Sequence, residues 1–317
     1  MKILFFGTKS YDQQSFDREL AEFPEIKIDY TDTNLTPVTA SLARGYDAVC
    51  AFVNADVSAM TLEILRGYGV GLVLMRCAGF DAVNVDFAKS LGMKVTRVPA
   101  YSPEAIAEHA MGLALTANRR IHKGYARVRE NDFSLVGLVG ETLHGIIGTG
   151  RIGAALCRIC KGFGMTVLGA DLYPNQKLVD EEHIVDEYVS YDELYARADL
   201  ISLHAFLNDE SYHMINDESI AKMKDGVIFV NTGRGGLVDT EALIRGIESG
   251  KNSPYRDRSA EVFTSVTSRL CSFPNVVMTS HQAFFTHEAL SQIAHVTLEN
   301  AQAYADGTDF VDRSVVC

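Results

Sequence analysis

With 317 residues, the chain is longer than one hydrophobic core usually serves, and at about 100–200 residues per domain it divides into two, which makes a cleft available. Hydrophobic residues make up 47% of it and charged residues 22%, a balance that excludes a disordered chain. The formal net charge of −12 excludes a nucleic-acid surface, which needs a basic stripe to displace counterions from phosphates, so an anionic substrate has to meet local positive charge.

The opening run Lys2-Ile3-Leu4-Phe5-Phe6 turns polar at Thr8, too early for a signal-peptide core, and reads as a first strand. Residues 48–53, 70–75 and 94–98 follow as strands between helical stretches. Ser102-Pro103-Glu104 supplies an N-cap, a first-turn proline and an early acid, opening one long helix toward Arg127 that is expected to bridge the domains. From residue 144 the alternation resumes, with apolar segments at 145–147, 166–170, 200–203, 227–230 and 276–278. The expected class is therefore α/β, with doubly wound parallel sheets. No stretch nears the roughly 18–20 apolar residues of a membrane span, so no membrane is expected as a partner and the cytoplasm is the expected location.

Cysteines at 50, 77, 157, 160, 271 and 317 lack the density of a disulfide framework. Cys157 and Cys160 carry a C-x-x-C spacing, but inside an apolar helical pattern with no second Cys or His pair, so no metal is expected.

The strongest local motif is Gly148-Thr149-Gly150-Arg151-Ile152-Gly153, which follows a short strand and opens a helix. Its glycines permit a tight turn and close backbone approach, while the helix amide end and Arg151 can neutralise a pyrophosphate. The next strand ends at Asp171, 23 residues past Gly148 (171 − 148), where a carboxylate accepts from the adenosine ribose hydroxyls and repels a 2′-phosphate. NAD is thus expected over NADP; the competing reading is a glycine turn beside a surface aspartate. His204 closes the strand at 200–203 and is placed beside the adenine end, with a structural role.

Arg234 follows the strand ending near Asn231, and His281 the strand ending near Thr279. Both stand at the carboxyl edge of a parallel sheet, where ligands bind. A guanidinium there can grip a substrate carboxylate and polarise the adjacent carbonyl, and an imidazole titrating near neutrality can pass a proton to the new alkoxide. The alternatives are a phosphate-binding or capping arginine and an ordinary loop histidine. His109, His122, His144, His183, His213, His287 and His295 read mostly as helix-face or surface residues.

The segment Val98-Pro99-Ala100-Tyr101-Ser102-Pro103-Glu104-Ala105-Ile106-Ala107-Glu108-His109-Ala110 resembles the interdomain segment of the D-isomer-specific 2-hydroxyacid dehydrogenases of the D-lactate dehydrogenase type. So do Asn231-Thr232-Gly233-Arg234-Gly235, Ser280-His281-Gln282-Ala283-Phe284-Phe285, Ile201-Ser202-Leu203-His204 and Met214-Ile215-Asn216, and the resemblance spans nearly the whole chain. It implies two Rossmann-like domains with a cleft between them: a substrate domain of residues 1–100 plus 284–317, and an NAD-binding domain of 101–283 inserted into it. It also implies a homodimer.

Carried over by position, the resemblance makes Arg234 the substrate-binding arginine, His281 the proton donor and Tyr101 a hydroxyl at the substrate, with the backbone amides of Cys77, Ala78 and Gly79 cradling the carboxylate. Arg151, Ile152, Asp171, Ala205, Phe206, Ser211, Thr232 and Gly233 would line the coenzyme, although Phe206 stands where the family usually has proline. If Phe52, Tyr101 and Phe284 point inward they leave room for little more than a methyl group, which favours pyruvate or a close small 2-oxoacid.

One departure shows in the residues themselves. After the helix ending near Gly250, an alternating fold demands a strand, yet residues 251–259 contain no apolar run, so a strand is expected to be missing. In similar dehydrogenases that strand carries an aspartate holding the nicotinamide amide and a glutamate pairing with the histidine, and neither has a matching residue here; Glu261 is not assigned the role. Deprived of that carboxylate, the His281 imidazolium is expected to lose stability and proton donation to weaken. The strand at 145–147 is likewise expected to be clipped. The readings are therefore an NAD-dependent dehydrogenase with impaired turnover, or a non-catalytic NAD-binding relative acting as a redox sensor or interaction module.

Overall fold

The computed structural model describes residues 1–134, 144–249, 259–260 and 267–317. They form two units, one of Met1–Ser102 with Phe284–Cys317 and the other of Pro103–Ala283.

The first unit holds a five-stranded, all-parallel sheet built from β1 (Lys2–Phe5), β2 (Lys27–Tyr30), β3 (Ala48–Ala51), β4 (Leu72–Met75) and β5 (Lys94–Arg97), in the order β2-β1-β3-β4-β5. β3 and β4 are buried at all four positions, as strands covered on both faces must be, which is why they read as unbroken apolar runs. Val49, Val73 and Val95 face Leu62 and Leu65 on one side; Ile3, Phe5, Cys50 and Leu72 face Phe16, Ile293 and Val296 on the other. The helix His287–Asp306 is capped by Thr286, stops at Gly307 in the left-handed region (φ 67°), and lets the following residues run back along β5, with Thr96 bridged antiparallel to Val315. Edge strand β2 is exposed at alternate positions, and the apolar-run reading passes over it.

At the end of β4, Arg76 is buried beside Asp12, with Nε 3.4 Å from Oδ1. It donates to the carbonyls of Phe6 and Gly7, and its guanidinium lies 4.4 Å from the Phe5 ring centre and 4.9 Å from that of Phe52.

The second unit holds a seven-stranded parallel sheet in the order β12-β11-β10-β9-β6-β7-β8. Its strands are β6 (His144–Ile147), β7 (Val167–Ala170), β8 (Glu187–Tyr188), β9 (Leu200–Leu203), β10 (Ile228–Asn231), β11 (Ser259–Ala260) and β12 (Val276–Val277). Strand order reverses at the β6–β9 boundary, so a crevice forms beyond the carboxyl end of β6. Ile146, Val167, Ile228 and Val230 pack against the helices Pro103–Arg119 and Arg151–Gly162, while Ile147, Leu168, Ile201 and Phe229 pack on the other face against Leu194, Leu243 and Ile244.

Two expectations need correction. A strand does lie where one was expected to be missing: β11 sits between β10 and β12, paired through Phe229 with Ser259 and Ser259 with Val276. Residues 250–258 and Glu261 lie outside the described residues. All four residues of β6 pair with both β7 and β9, and residues 135–143, next to the expected shortening, lie outside the described residues. The single long helix is two, Pro103–Arg119 and Ile121–Arg129, because Arg120 takes the left-handed conformation (φ 51°) and interrupts the backbone ladder.

Candidate active site

The turn after β6 is built as its glycines require. Gly148 has φ +84°, and a Cβ there would fall 2.6 Å from the His204 carbonyl oxygen; a Cβ at Gly153 would fall 2.0 Å from the Gly148 carbonyl oxygen. These approaches seat the helix Arg151–Gly162 against the strand, with Gly150 at its N-cap and its first amides at the crevice. Gly148, Gly150, Asp171, His204, Ala205, Phe206 and Ser211 line a cavity of about 530 Å³. Gly150, Arg151 and Asp171 line a second, of about 610 Å³. Ile152, Gly153, Thr232 and Gly233 line neither.

Asp171 ends β7 and is held by its own chain. Its Oδ2 accepts from the Thr149 amide (2.6 Å) and hydroxyl (3.1 Å), and its Oδ1 accepts from the Tyr173 amide (2.9 Å). His204 is 2.9 Å from Ser202 Oγ through Nε2, and burial pushes its pKa down to about 4, so it is neutral near pH 7. Phe206 is 68% exposed and lines the first cavity. Tyr173, Tyr191 and Tyr195 also line this cavity; they lie outside the glycine motif, which is the signal that pointed to the site.

At the end of β10, Asn231 fixes the following turn: its Oδ1 accepts from the Gly233 amide and its side-chain amide donates to the Arg234 carbonyl. Thr232 Oγ1 is buried with no hydrogen-bond partner among the described residues, a group that a polar ligand at this edge would satisfy. Arg234 is half-buried, and His281 follows β12 with φ +54°, a backbone state that costs a non-glycine residue of order 1–3 kcal/mol and concentrates at functional sites. β10 and β12 flank β11, so Arg234 and His281 both extend from the carboxyl edge of one sheet, from strands separated by about two spacings, roughly 10 Å.

His109, read as a helix-face residue, lies with Nε2 3.1 Å from Thr279 Oγ1, two positions before His281. Cys157 and Cys160 are buried on the helix Arg151–Gly162, and burial raises both thiols to about 12, so they stay protonated.

In the first unit, the loop after β4 is anchored by Arg97, which donates to the Ala78 carbonyl (3.0 Å), and by Cys77 Sγ, 3.1 Å from the Gly79 carbonyl oxygen. The amides of Ala78 and Gly79 donate to no acceptor among the described residues. Phe284 is buried, with its ring centre 5.6 Å from Phe52 and 6.5 Å from Tyr101. These aromatic residues, far apart in sequence, do meet.

A glycine-loop crevice lined by an acid, in a sheet whose same edge carries a guanidinium and an imidazole, suits hydride exchange between a dinucleotide and a carboxylate-bearing carbonyl compound. The profile of the D-isomer specific 2-hydroxyacid dehydrogenase, NAD binding domain, matches residues 111–283. The 2-hydroxyacid dehydrogenase homolog 1 of Schizosaccharomyces pombe is 44% identical over 335 aligned positions, covering 100% of this chain and 99% of that protein. This chain has 317 residues, so at least 18 positions of that alignment (335 − 317) have no counterpart here. D-lactate dehydrogenase of Escherichia coli is 43% identical, covering 95% of each chain. Its apo structure superposes with a TM-score of 0.91 at 42% identity over 100% of both chains. The D-lactate dehydrogenase of Aquifex aeolicus, complexed with NAD and lactic acid, superposes with a TM-score of 0.85 at 30% identity over 99% and 98%.

Proposed function

Because the chain belongs to the D-isomer-specific 2-hydroxyacid dehydrogenases, enzymes that use NAD, we propose that it interconverts pyruvate, or a close small 2-oxoacid, and the D-2-hydroxyacid. The observation that carries this reading is the placement of Arg234 and His281 on one carboxyl edge of the sheet whose crevice holds Gly148, Gly150 and Asp171. The buried Thr232 hydroxyl, unpartnered among the described residues, and the close backbone approaches at Gly148 and Gly153 fit a bound dinucleotide. When bound, NAD(H) supplies or accepts the hydride.

Arg234 grips the substrate carboxylate and withdraws electron density from the neighbouring carbonyl; His281 gives its proton to the oxygen that becomes the alcohol and takes it back in the reverse direction. We assign substrate contacts also to the amides of Cys77, Ala78 and Gly79, as donors to a carboxylate, and to the Tyr101 hydroxyl. The ring packing of Phe52, Tyr101 and Phe284 supports a small substituent. No helix among the described residues is long and apolar enough to cross a membrane, and we place the enzyme in the cytoplasm. We also propose a homodimer: Ile121, Tyr125 and Val128 form an exposed apolar stripe at i, i+4 and i+7 on one helix, with Phe133 exposed just beyond it.

The second reading, a non-catalytic NAD-binding relative that senses redox state or recruits other proteins, is favoured by the at least 18 alignment positions without counterpart and by the unmatched aspartate and glutamate. Mixing the chain with NADH and pyruvate from pH 5 to 8, beside a direct NADH titration, separates the two. Oxidation of NADH supports the dehydrogenase, and saturable binding with no oxidation supports the module.

A further inference from the structure

We propose that Tyr188 is a positioning residue for coenzyme selection: its hydroxyl holds the Thr149 hydroxyl on the Asp171 carboxylate and so fixes the acid that discriminates a ribose diol from a 2′-phosphate. The proposal rests on the reading of Asp171 as the ribose-binding acid. Tyr188 lies on edge strand β8, in register with Gly169 of β7. A Cβ at Gly169 would fall 2.9 Å from the Tyr188 ring, so glycine at that position is what lets the ring lie against the strand. From there the hydroxyl reaches 2.8 Å from Thr149 Oγ1, inside the glycine loop. Tyr188 lines neither cavity and reaches the second through Thr149 and Asn175, which both line it.

Counting protons gives this network a direction. The Asp171 carboxylate has no hydrogen to give, so the single hydrogen of the Thr149 hydroxyl goes to Asp171 Oδ2. Thr149 Oγ1 must then accept, and its donor is Tyr188, whose oxygen in turn accepts from the Asn175 amide at 3.2 Å. The only competitor for the tyrosine hydrogen among the described residues is the Asn175 carbonyl at 3.4 Å, which is the longer contact. Asn175 amide, Tyr188 hydroxyl and Thr149 hydroxyl thus form a chain in which every donor points toward the carboxylate, and such aligned bonds polarise one another.

The consequence falls on Asp171. With the Thr149 amide and hydroxyl on Oδ2 and the Tyr173 amide on Oδ1, three of roughly four acceptor positions are filled, leaving about one for a ribose hydroxyl. A carboxylate held this way cannot swing aside, so it meets a 2′-phosphate with its full charge. Once the hydroxyl chain is broken, the acid gains freedom to turn away. NADH then loses a fixed partner, and NADPH loses part of the repulsion.

The test titrates the full chain with NADH and with NADPH by coenzyme fluorescence. Tyr188→Phe keeps the ring on Gly169 and removes only the hydroxyl, and a melting curve shows that the variant is folded. The NADPH-to-NADH ratio of dissociation constants is expected to narrow about 3–10-fold, the scale of one hydrogen bond. Thr149→Val is expected to narrow it similarly, and the double variant to go little further, because both break the same link. An unchanged ratio in Tyr188→Phe, or single effects that multiply in the double variant, overturns the proposal. Asp171→Asn separates the two claims: if it shifts the ratio and Tyr188→Phe does not, only the role of Tyr188 fails. If it leaves the ratio unchanged, or the wild type binds no NADH, the ribose-acid reading and the proposal fall together.

Discussion

A methyl group at residue 153 tests how tightly the crevice depends on close backbone approach. In Gly153→Ala the added carbon would stand 2.0 Å from the Gly148 carbonyl oxygen and 3.5 Å from Ile146 Cγ2. Carbon and oxygen in contact keep about 3.3 Å, so the helix Arg151–Gly162 and the turn before it must part by roughly 1 Å. Because the obstacle is backbone, no side-chain rotation relieves it. Forced insertion of this kind costs about 1–3 kcal/mol, and the displacement carries the first helix amides away from the phosphate position. The variant is expected to stay folded, with a urea midpoint lowered in that proportion, and to bind NADH at least about tenfold more weakly, or 1.4 kcal/mol. Fluorescence titration beside urea unfolding measures both. An alanine variant with wild-type NADH affinity would show that the tight helix seating has nothing to do with coenzyme binding.

Arg234→Gln is expected to leave NADH binding within about threefold while kcat/KM for pyruvate falls by a factor of about 100 or more, since a charged, two-pronged carboxylate contact is lost; steady-state kinetics checks it. Arg76→Ala strands Asp12 in the interior and is expected to cost about 3–5 kcal/mol in urea unfolding, where a loss below about 1 kcal/mol refutes the account of that pair. His204 contributes a pH dependence with a definite sign. Its folded pKa, about 4, lies below the ordinary 6.5, so the unfolded chain binds the extra proton, and this contribution is complete above pH 6.5 and is lost as the pH falls toward 4. The loss is of order 3 kcal/mol across that window, and His204→Gln is expected to flatten the stability slope there.

The parts of the molecule legible in the sequence are those governed by local periodicity. Strands β3, β4, β9 and β10 are buried at every position and show as apolar runs, and the glycine loop shows through spacing alone. β2 escapes because its residues Lys27, Ile28, Asp29 and Tyr30 alternate at a sheet edge, and β8 because two residues are too few to carry a pattern. The helix break at Arg120 has no local signal, since neither proline nor glycine marks it. Of the site, Asp171 and Arg234 follow from position relative to strands. The hydroxyls that hold Asp171 do not, because Thr149 and Tyr188 meet only once β8 has taken its register against Gly169.

The interrupted course of the first unit also bears on how the polypeptide is made. Its sheet is encoded before residue 103, yet the helix that covers Ile3, Phe5 and Leu72, and the segment that bridges Thr96 on β5, come only after residue 283. At about 5–20 residues per second, the nascent sheet waits roughly 10–40 s on the ribosome with one face only partly covered and one edge bare, while the inserted unit emerges whole. Biosynthesis therefore presents an early, sticky intermediate, and the demand for chaperone shielding should fall on the N-terminal hundred residues.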